Sequence, residues 1–203
     1  TEVKSRGFAL DNNYGYKIDG YQYGRFFELD DAQIDRDEVV RGPSSATYGI
    51  AAPGGLINYV LKSAPSNTQG KISLSYGSHN DLRGQASFGG PINESGTLRA
   101  LMLVSAKSAD SFIDHVYSEN VAGGAVVEWD ATDRLFLKAV AYLTRSNGTA
   151  DNGIPLYADG RVPDIKRSTF LGSADRNRSR FKGDLLFTEA RYKITDQIEL
   201  GGN

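Results

Sequence analysis

Six aromatic residues fall within the 14 positions from Tyr14 to Phe27: Tyr14, Tyr16, Tyr21, Tyr23, Phe26 and Phe27, with Arg25 among the last of them. Aromatic faces beside a cation can hold a flat or anionic ligand by stacking and charge. The competing use of such a cluster is a hydrophobic core, and Tyr14 and Tyr16, on a short β-rich stretch, are read that way. Tyr23, Arg25, Phe26 and Phe27 follow Asp19-Gly20, a preferred two-residue hairpin turn, and run into an irregular segment. They are the candidate ligand-binding residues. Beside them lies an acidic run, Glu28, Asp30, Asp31, Asp35, Asp37 and Glu38, broken only by Arg36. It lacks the mid-loop glycine of a calcium loop, so it reads as a surface, facing either solvent or another part of the fold. His79 and His115 sit in predicted loops without metal-ligand spacing. No phosphate-binding glycine loop occurs, and a serine triad lacks a third member. No catalytic residue, metal ligand or cofactor is expected.

Composition narrows the class. The chain has 203 residues, a formal charge of −2 and no cysteine. Disulfides, thiolate metal sites and cysteine nucleophiles are excluded, and a nucleic-acid surface is not indicated. Mean hydropathy is −0.40, and no run of about 18 apolar residues could form a membrane helix. A membrane β-strand needs only about 10 residues alternating apolar and polar, so its mean hydropathy is ordinary.

From Gly70 onward the period becomes two. Ile72, Leu74 and Tyr76 alternate with Lys71, Ser73 and Ser75; Leu82, Gly84, Ala86 and Phe88 alternate with Arg83, Gln85 and Ser87. Leu98, Ala100, Met102, Val104 and Ala106 share a face opposite Arg99, Ser105 and Lys107. Val121, Ala125, Val127 and Trp129 lie opposite Glu128, and Leu135, Leu137, Ala139 and Leu143 lie opposite Lys138 and Thr144. A sixth strand is predicted over roughly 180–193 and a seventh from about Gln197. In the sixth, Leu185 and Phe187 fall out of phase with Ala190 and Tyr192, which predicts a bulge or an inward apolar pair. Short turns at 93–96, 131–133 and 194–196 alternate with longer loops at 108–119 and 146–179; the first hairpin, through 77–81, is the exception. Short turns at one end and long loops at the other is the pattern of an outer-membrane barrel. Glu128–Leu137 resembles Arg191–Leu200, which equates Trp129 with Tyr192, each just before a short turn and suited to an interfacial aromatic belt. A soluble β-sandwich, as a binding domain or an enzyme, also has alternating strands, but it buries the apolar face under a second sheet.

Between the aromatic cluster and these strands, Glu38-Val39-Val40-Arg41 is a short β-rich run broken by Gly42. Pro43 suits a first helical turn, Ser44–Tyr48 gives about one turn, Pro53-Gly54-Gly55 turns sharply, and Leu56–Leu61 reads as a buried strand. This stretch closely resembles the E-V-x-R-G-P-S-S-x-x-Y-G-x-x-x-P-G-G-x-I-N segment that ends the plug domain of TonB-dependent outer-membrane receptors. Arg6-Gly7-Phe8 and Asn13–Gly20 are similar to earlier plug segments. Gly89–Ile92, Asp110–Phe112 and Gly153–Tyr157 resemble turns and loops of the ferric-siderophore branch.

The resemblance implies a mainly β fold: about six to seven strands of a roughly 22-stranded transmembrane antiparallel β-barrel, with part of an α+β plug. It places the C-terminal part of the plug in residues 1–66 and the N-terminal strands of the barrel in 67–203. It implies TonB-dependent uptake of ferric siderophores at the outer membrane of a Gram-negative bacterium, without catalysis. The partners implied are the ferric siderophore, TonB and outer-membrane lipid, with no nucleic acid; iron would arrive already chelated. A receptor for a vitamin or oligosaccharide is the alternative within the family. In siderophore receptors the segment matching Tyr23–Phe27 is a plug apex lining the ligand pocket, and charges matching Arg6, Glu38 and Arg41 pair with the barrel wall. The opening residues lack the apolar core of a signal peptide and the last, Leu200–Asn203, stop a few residues into a predicted strand, so truncation at both ends is expected, with the TonB-contacting box before residue 1. The plug is expected to rest on a concave, polar inner face.

Overall fold

The computed structural model describes residues 4–5, 8–10, 14–23, 28–41, 54–195 and 197–202. The first strands are short: β1 (Lys4–Ser5), β2 (Phe8–Ala9), β3 (Tyr16–Ile18), β4 (Tyr21–Gln22), β5 (Ile34–Arg41) and β6 (Gly55–Leu61). β1 and β2 pair with each other, and β4-β3-β6-β5 form a four-stranded sheet. In that sheet β3 and β6 are parallel and the outer pairs antiparallel. Asp19 and Gly20 both take positive φ, 47° and 86°, the two-residue turn whose twist matches its flanking strands. The acidic run is divided by the fold. Its first half is the turn before β5 and its second half is β5 itself. The predicted helical turn at Ser44–Tyr48 lies outside the described residues.

The remaining strands are β7 (Gln69–Tyr76), β8 (Leu82–Pro91), β9 (Leu98–Asp110), β10 (Tyr117–Asp130), β11 (Leu135–Thr149), β12 (Arg178–Thr195) and β13 (Ile198–Gly202). They form one seven-stranded antiparallel meander, each strand beside its sequence neighbour, with β7 and β13 at the edges. Strands β9 to β12 are 13, 14, 15 and 18 residues long, more than the roughly 10 a tilted strand needs to cross an apolar layer. They outrun the sequence expectation. Ser108, Ala109 and Asp110 stay paired to Glu119, Ser118 and Tyr117, so the loop expected over 108–119 shrinks to 111–116. The loop expected over 146–179 likewise shrinks to 150–177. Those strand ends are polar on both faces, so hydrophobic alternation stops before the hydrogen-bond ladder does.

The sheet has an outside and an inside, as the period-two pattern requires. Ile72, Leu74, Phe88, Met102, Val104, Val121, Val127 and Leu186 are exposed on one face, and among the described residues no second sheet covers them. That arrangement removes the β-sandwich alternative. Trp129 and Tyr192 lie on this outer face at the short-turn end.

The inner face carries the four-stranded sheet, and it is less polar than expected. Leu101, Leu103, Val126, Val140, Tyr142 and Phe187 of the wall pack with Ile18, Ala32, Leu61 and Ala64 in one buried cluster. The register between β11 and β12 runs unbroken from Thr149–Arg178 to Leu135–Tyr192. Leu185 and Phe187 are therefore an inward apolar pair and not the mark of a bulge. Phe187 meets Tyr21 ring to ring at 5.8 Å.

Candidate functional site

The chemistry-bearing contacts of this molecule gather where the small sheet meets the wall. Asp30 lies in the turn before β5 and is 5% exposed. One of its oxygens, Oδ1, accepts from the Ala32 amide at 2.9 Å, from Arg83 Nη2 at 2.9 Å and from Ser105 Oγ at 2.8 Å. Arg83 reaches with Nη1 to Asp31 Oδ2 at 2.8 Å. Arg83 is on β8 and Ser105 on β9, so the two carboxylates of the small sheet are pinned to adjacent wall strands.

Gln33, fully buried, makes the neighbouring attachment. Its Nε2 donates to the backbone carbonyls of Gly123 and Leu143 at 3.3 and 3.0 Å. Its Oε1 accepts from the Asp30 amide at 2.9 Å and from Thr144 Oγ1 at 3.3 Å. Nearer the short-turn end, Asp19 of the hairpin accepts from Lys138 Nζ at 2.9 Å and from the Leu61 amide at 2.8 Å. These bonds are all ionic or hydrogen bonds. The small sheet is seated by contacts that water can replace, over a modest apolar cluster.

Of the residues singled out from sequence, Tyr23 is partly buried, packs against the core cluster and donates its amide to the Tyr16 carbonyl at 3.1 Å. Arg25, Phe26, Phe27 and Arg6 lie outside the described residues. Glu38 accepts from Asn58 at 2.9 Å and from Arg36 at 2.8 Å, both within the small sheet, and these bonds hold its carboxyl below the usual carboxylate range. Arg41 is exposed at the end of β5 and makes no ion pair among the described residues. The wall contacts made by Asp19, Asp30, Asp31 and Gln33 were not singled out from sequence. Their only signal was the inward phase of Arg83, Ser105, Lys138 and Thr144 beside an acidic run short of local cations.

At the junction leading to β7, a cavity of about 450 Å³ is lined by Asp35, Arg36, Lys62, Lys71 and Ser87 among others. Burial, with the charge of Lys71 added, pushes the Lys62 ammonium down in pKa. At the opposite end of the wall the two longer loops clasp each other. The Asp114 amide donates to the Ser168 carbonyl at 2.8 Å, Arg167 lies 5.8 Å from the Phe112 ring, and His115 lies 6.3 Å from Phe170. Both histidines sit in turns at positive φ, and among the described residues no cluster of histidine and acidic side chains could hold a metal.

A small mixed sheet seated inside a curved antiparallel wall with an apolar exterior defines the class: the chain is part of a TonB-dependent outer-membrane receptor. Residues 1–56 match the family described as the TonB-dependent Receptor Plug Domain. Among curated relatives, the ferric-pyoverdine M114 receptor PbuA of Pseudomonas sp. (strain M114) is 30% identical over 205 residues, a match covering 97% of this chain and 24% of that protein. The ferrioxamine B receptor of Salmonella typhimurium (strain SL1344) is 31% identical over 184 residues, covering 85% of this chain and 26% of that one. Among solved structures, the ferripyoverdine receptor of the outer membrane of Pseudomonas aeruginosa, bound to ferripyoverdine, superposes with a TM-score of 0.81 at 21% identity, over 94% of this chain and 26% of that one. The ferric-catecholate import receptor Fiu from E. coli K12 gives 0.82 at 21% identity, over 96% and 31%. The chain thus spans about a quarter of the length of the curated relatives it matches.

Proposed function

We propose that this chain is the C-terminal part of the plug and the first wall strands of a receptor that takes up ferric siderophores through the outer membrane, powered by TonB. The observation that carries the reading is the similarity, across nearly the whole chain, to proteins named as ferric-pyoverdine and ferrioxamine receptors. The structure supplies a matching physical device. An insert held by Asp30–Arg83, Asp31–Arg83, Asp19–Lys138 and Gln33 can leave its seat by exchanging those bonds for water, with no covalent step. Residues 1–66 form the plug part and 67–203 the wall part in this reading. The small sheet ends at Leu61 and the wall begins at Gln69, which agrees with that division.

Iron enters as cargo already wrapped in its chelator. Tyr23, Arg25, Phe26 and Phe27 form the plug side of the pocket, where aromatic faces and one cation suit an anionic chelate. The loop clasp with Phe112, Arg167, His115 and Phe170 closes the pocket from outside. Arg6, Glu38 and Arg41 seat the plug in the complete barrel. The test is binding and uptake by the full-length receptor. Arg25→Ala and Phe27→Ala should weaken ferric-chelate binding, read by fluorescence quenching, with heat-modifiable barrel retained. Unchanged affinity in both variants removes the apex from the pocket. Failure of the wild-type receptor to bind any ferric hydroxamate or catecholate chelate removes the siderophore reading.

A further inference from the structure

One rung of the wall carries charges of alternating sign on four neighbouring strands. Glu128 on β10 is in register with Arg99 on β9 and with Lys138 on β11, and Lys138 is in register with Glu189 on β12. Directly opposed residues of an antiparallel pair stand about 4.5–5.5 Å apart at Cα, so each charge has an opposite one beside it. Glu128 and Lys138 are 5% and 7% exposed, and the Glu189 side chain is 16% exposed, which puts the rung inside the wall. Arg99 is bound by Glu128 at 3.6 Å and by Asp130 at 2.8 Å, and Glu189 by Arg191 at 3.1 Å. Lys138 alone in the rung turns away from its wall neighbours. Its ammonium goes to Asp19 on the plug, at 2.9 Å.

We infer that Glu128 and Glu189 are positioning residues for plug movement, which receive the Lys138 ammonium when Asp19 withdraws. The inference rests on the reading of the chain as a transporter whose plug must move. A buried cation that loses its only partner is strongly destabilising, and that cost would oppose release at this contact. Here the cation has a carboxylate on each flanking strand, within reach of a flexible four-carbon stem. A rotation of the Lys138 side chain replaces one ion pair with another, and Asp19 leaves into water. The rung holds the plug by one bond and lowers the cost of breaking it. Arg83 has no such wall carboxylate in register, since its partners there are Ser75 and Lys107. The two ionic plug attachments are therefore unequal, and the Asp19 contact is the one built to open.

The test uses the full-length receptor in a bilayer with two readouts. The first is hydrogen exchange at amides 16–22, which needs no substrate. Asp19→Asn removes the charge that binds the plug to Lys138 and should speed exchange about tenfold. Glu128→Gln with Glu189→Gln leaves the Lys138–Asp19 bond in place, removes the two receiving carboxylates together with their pairs to Arg99 and Arg191, and should slow exchange by a similar factor, because opening then strands Lys138. The second is energised uptake of a labelled ferric chelate. The double glutamine variant should lose tenfold or more, and adding Lys138→Met should restore the rate, since no cation remains to be stranded. A merely structural role for the two glutamates would give faster exchange and no rescue by Lys138→Met, and that result overturns the inference. So does wild-type exchange in the double variant. Should that variant yield no heat-modifiable barrel, Glu189→Gln alone, with and without Lys138→Met, gives the same signs. A receptor that takes up no ferric chelate at all refutes the functional reading and leaves the exchange signs to decide the rung.

Discussion

Asp30 should matter far more than the acidic neighbour beside it. Both carboxylates bind Arg83, yet the Asp30 side chain is 4% exposed and the Asp31 side chain 81%. Asp30→Asn removes the charge at an oxygen that accepts three hydrogen bonds, from Ala32, Arg83 and Ser105. Breaking a buried ion pair by removing one partner costs about 3–5 kcal/mol. Arg83 is 19% exposed and keeps Asp31, which discounts the loss to about 2–3 kcal/mol for local release of the plug. Asp31→Asn breaks a solvated contact and should cost about 0–1 kcal/mol. At about 1.4 kcal/mol per decade, the first figure predicts roughly 30- to 150-fold faster hydrogen exchange at amides 28–34, and the second roughly fivefold or less. The measurement belongs in the full-length receptor, where the rest of the barrel surrounds the plug. Equal effects of the two substitutions, or a larger one at Asp31, would show that burial does not set the strength of this attachment and would refute the seating geometry.

Three further outcomes are expected of the full-length receptor. Gln33→Leu strands the Asp30 amide and the Thr144 hydroxyl, and should cost about 2–3 kcal/mol of plug stability, read as a lower urea midpoint for plug release; an unchanged midpoint would remove Gln33 from the seat. Val104→Arg or Val127→Arg puts a charge on the lipid face and should cost about 2–4 kcal/mol near the midplane, read as loss of heat-modifiable barrel, whereas Ser75→Arg on the inner face of β7 should cost far less; matched losses would mean that the facing is wrong. Gly20→Ala forces a side chain to φ +86° and should cost about 1–2 kcal/mol, seen as faster exchange of the β3–β4 hairpin, with no change counting against the turn.

What the sequence showed of this fold depended on which signals are local. The period-two faces were legible because the side-chain period of a strand is fixed, and Val104, Val127 and Leu186 do lie outside. The Asp19-Gly20 turn was legible because few dipeptides accept two positive φ values. Pairing partners were another matter. Arg99, Glu128 and Lys138 could each be assigned to the inner face, but which of them share a rung depends on register, and register depends on turn lengths that polar strand ends conceal. For Leu185 and Phe187 the phase break left two readings open, a bulge or an inward apolar pair, and only the unbroken register of β12 with β11 decides for the second. The same blindness hid the seat. Asp30 and Arg83 are 53 positions apart, and in sequence one belongs to an acidic run while the other is a routine polar position in a strand. The inner face was expected to be polar, yet a polar position on it need not be open: Ser105 is 1% exposed and bonded to Asp30. Such a site would reject an arginine on volume alone. An inward-facing position of this wall is permissive only where the plug does not reach it, so the plug's footprint sets the tolerance of the lumen. That footprint is drawn by the four acidic and amide side chains Asp19, Asp30, Asp31 and Gln33.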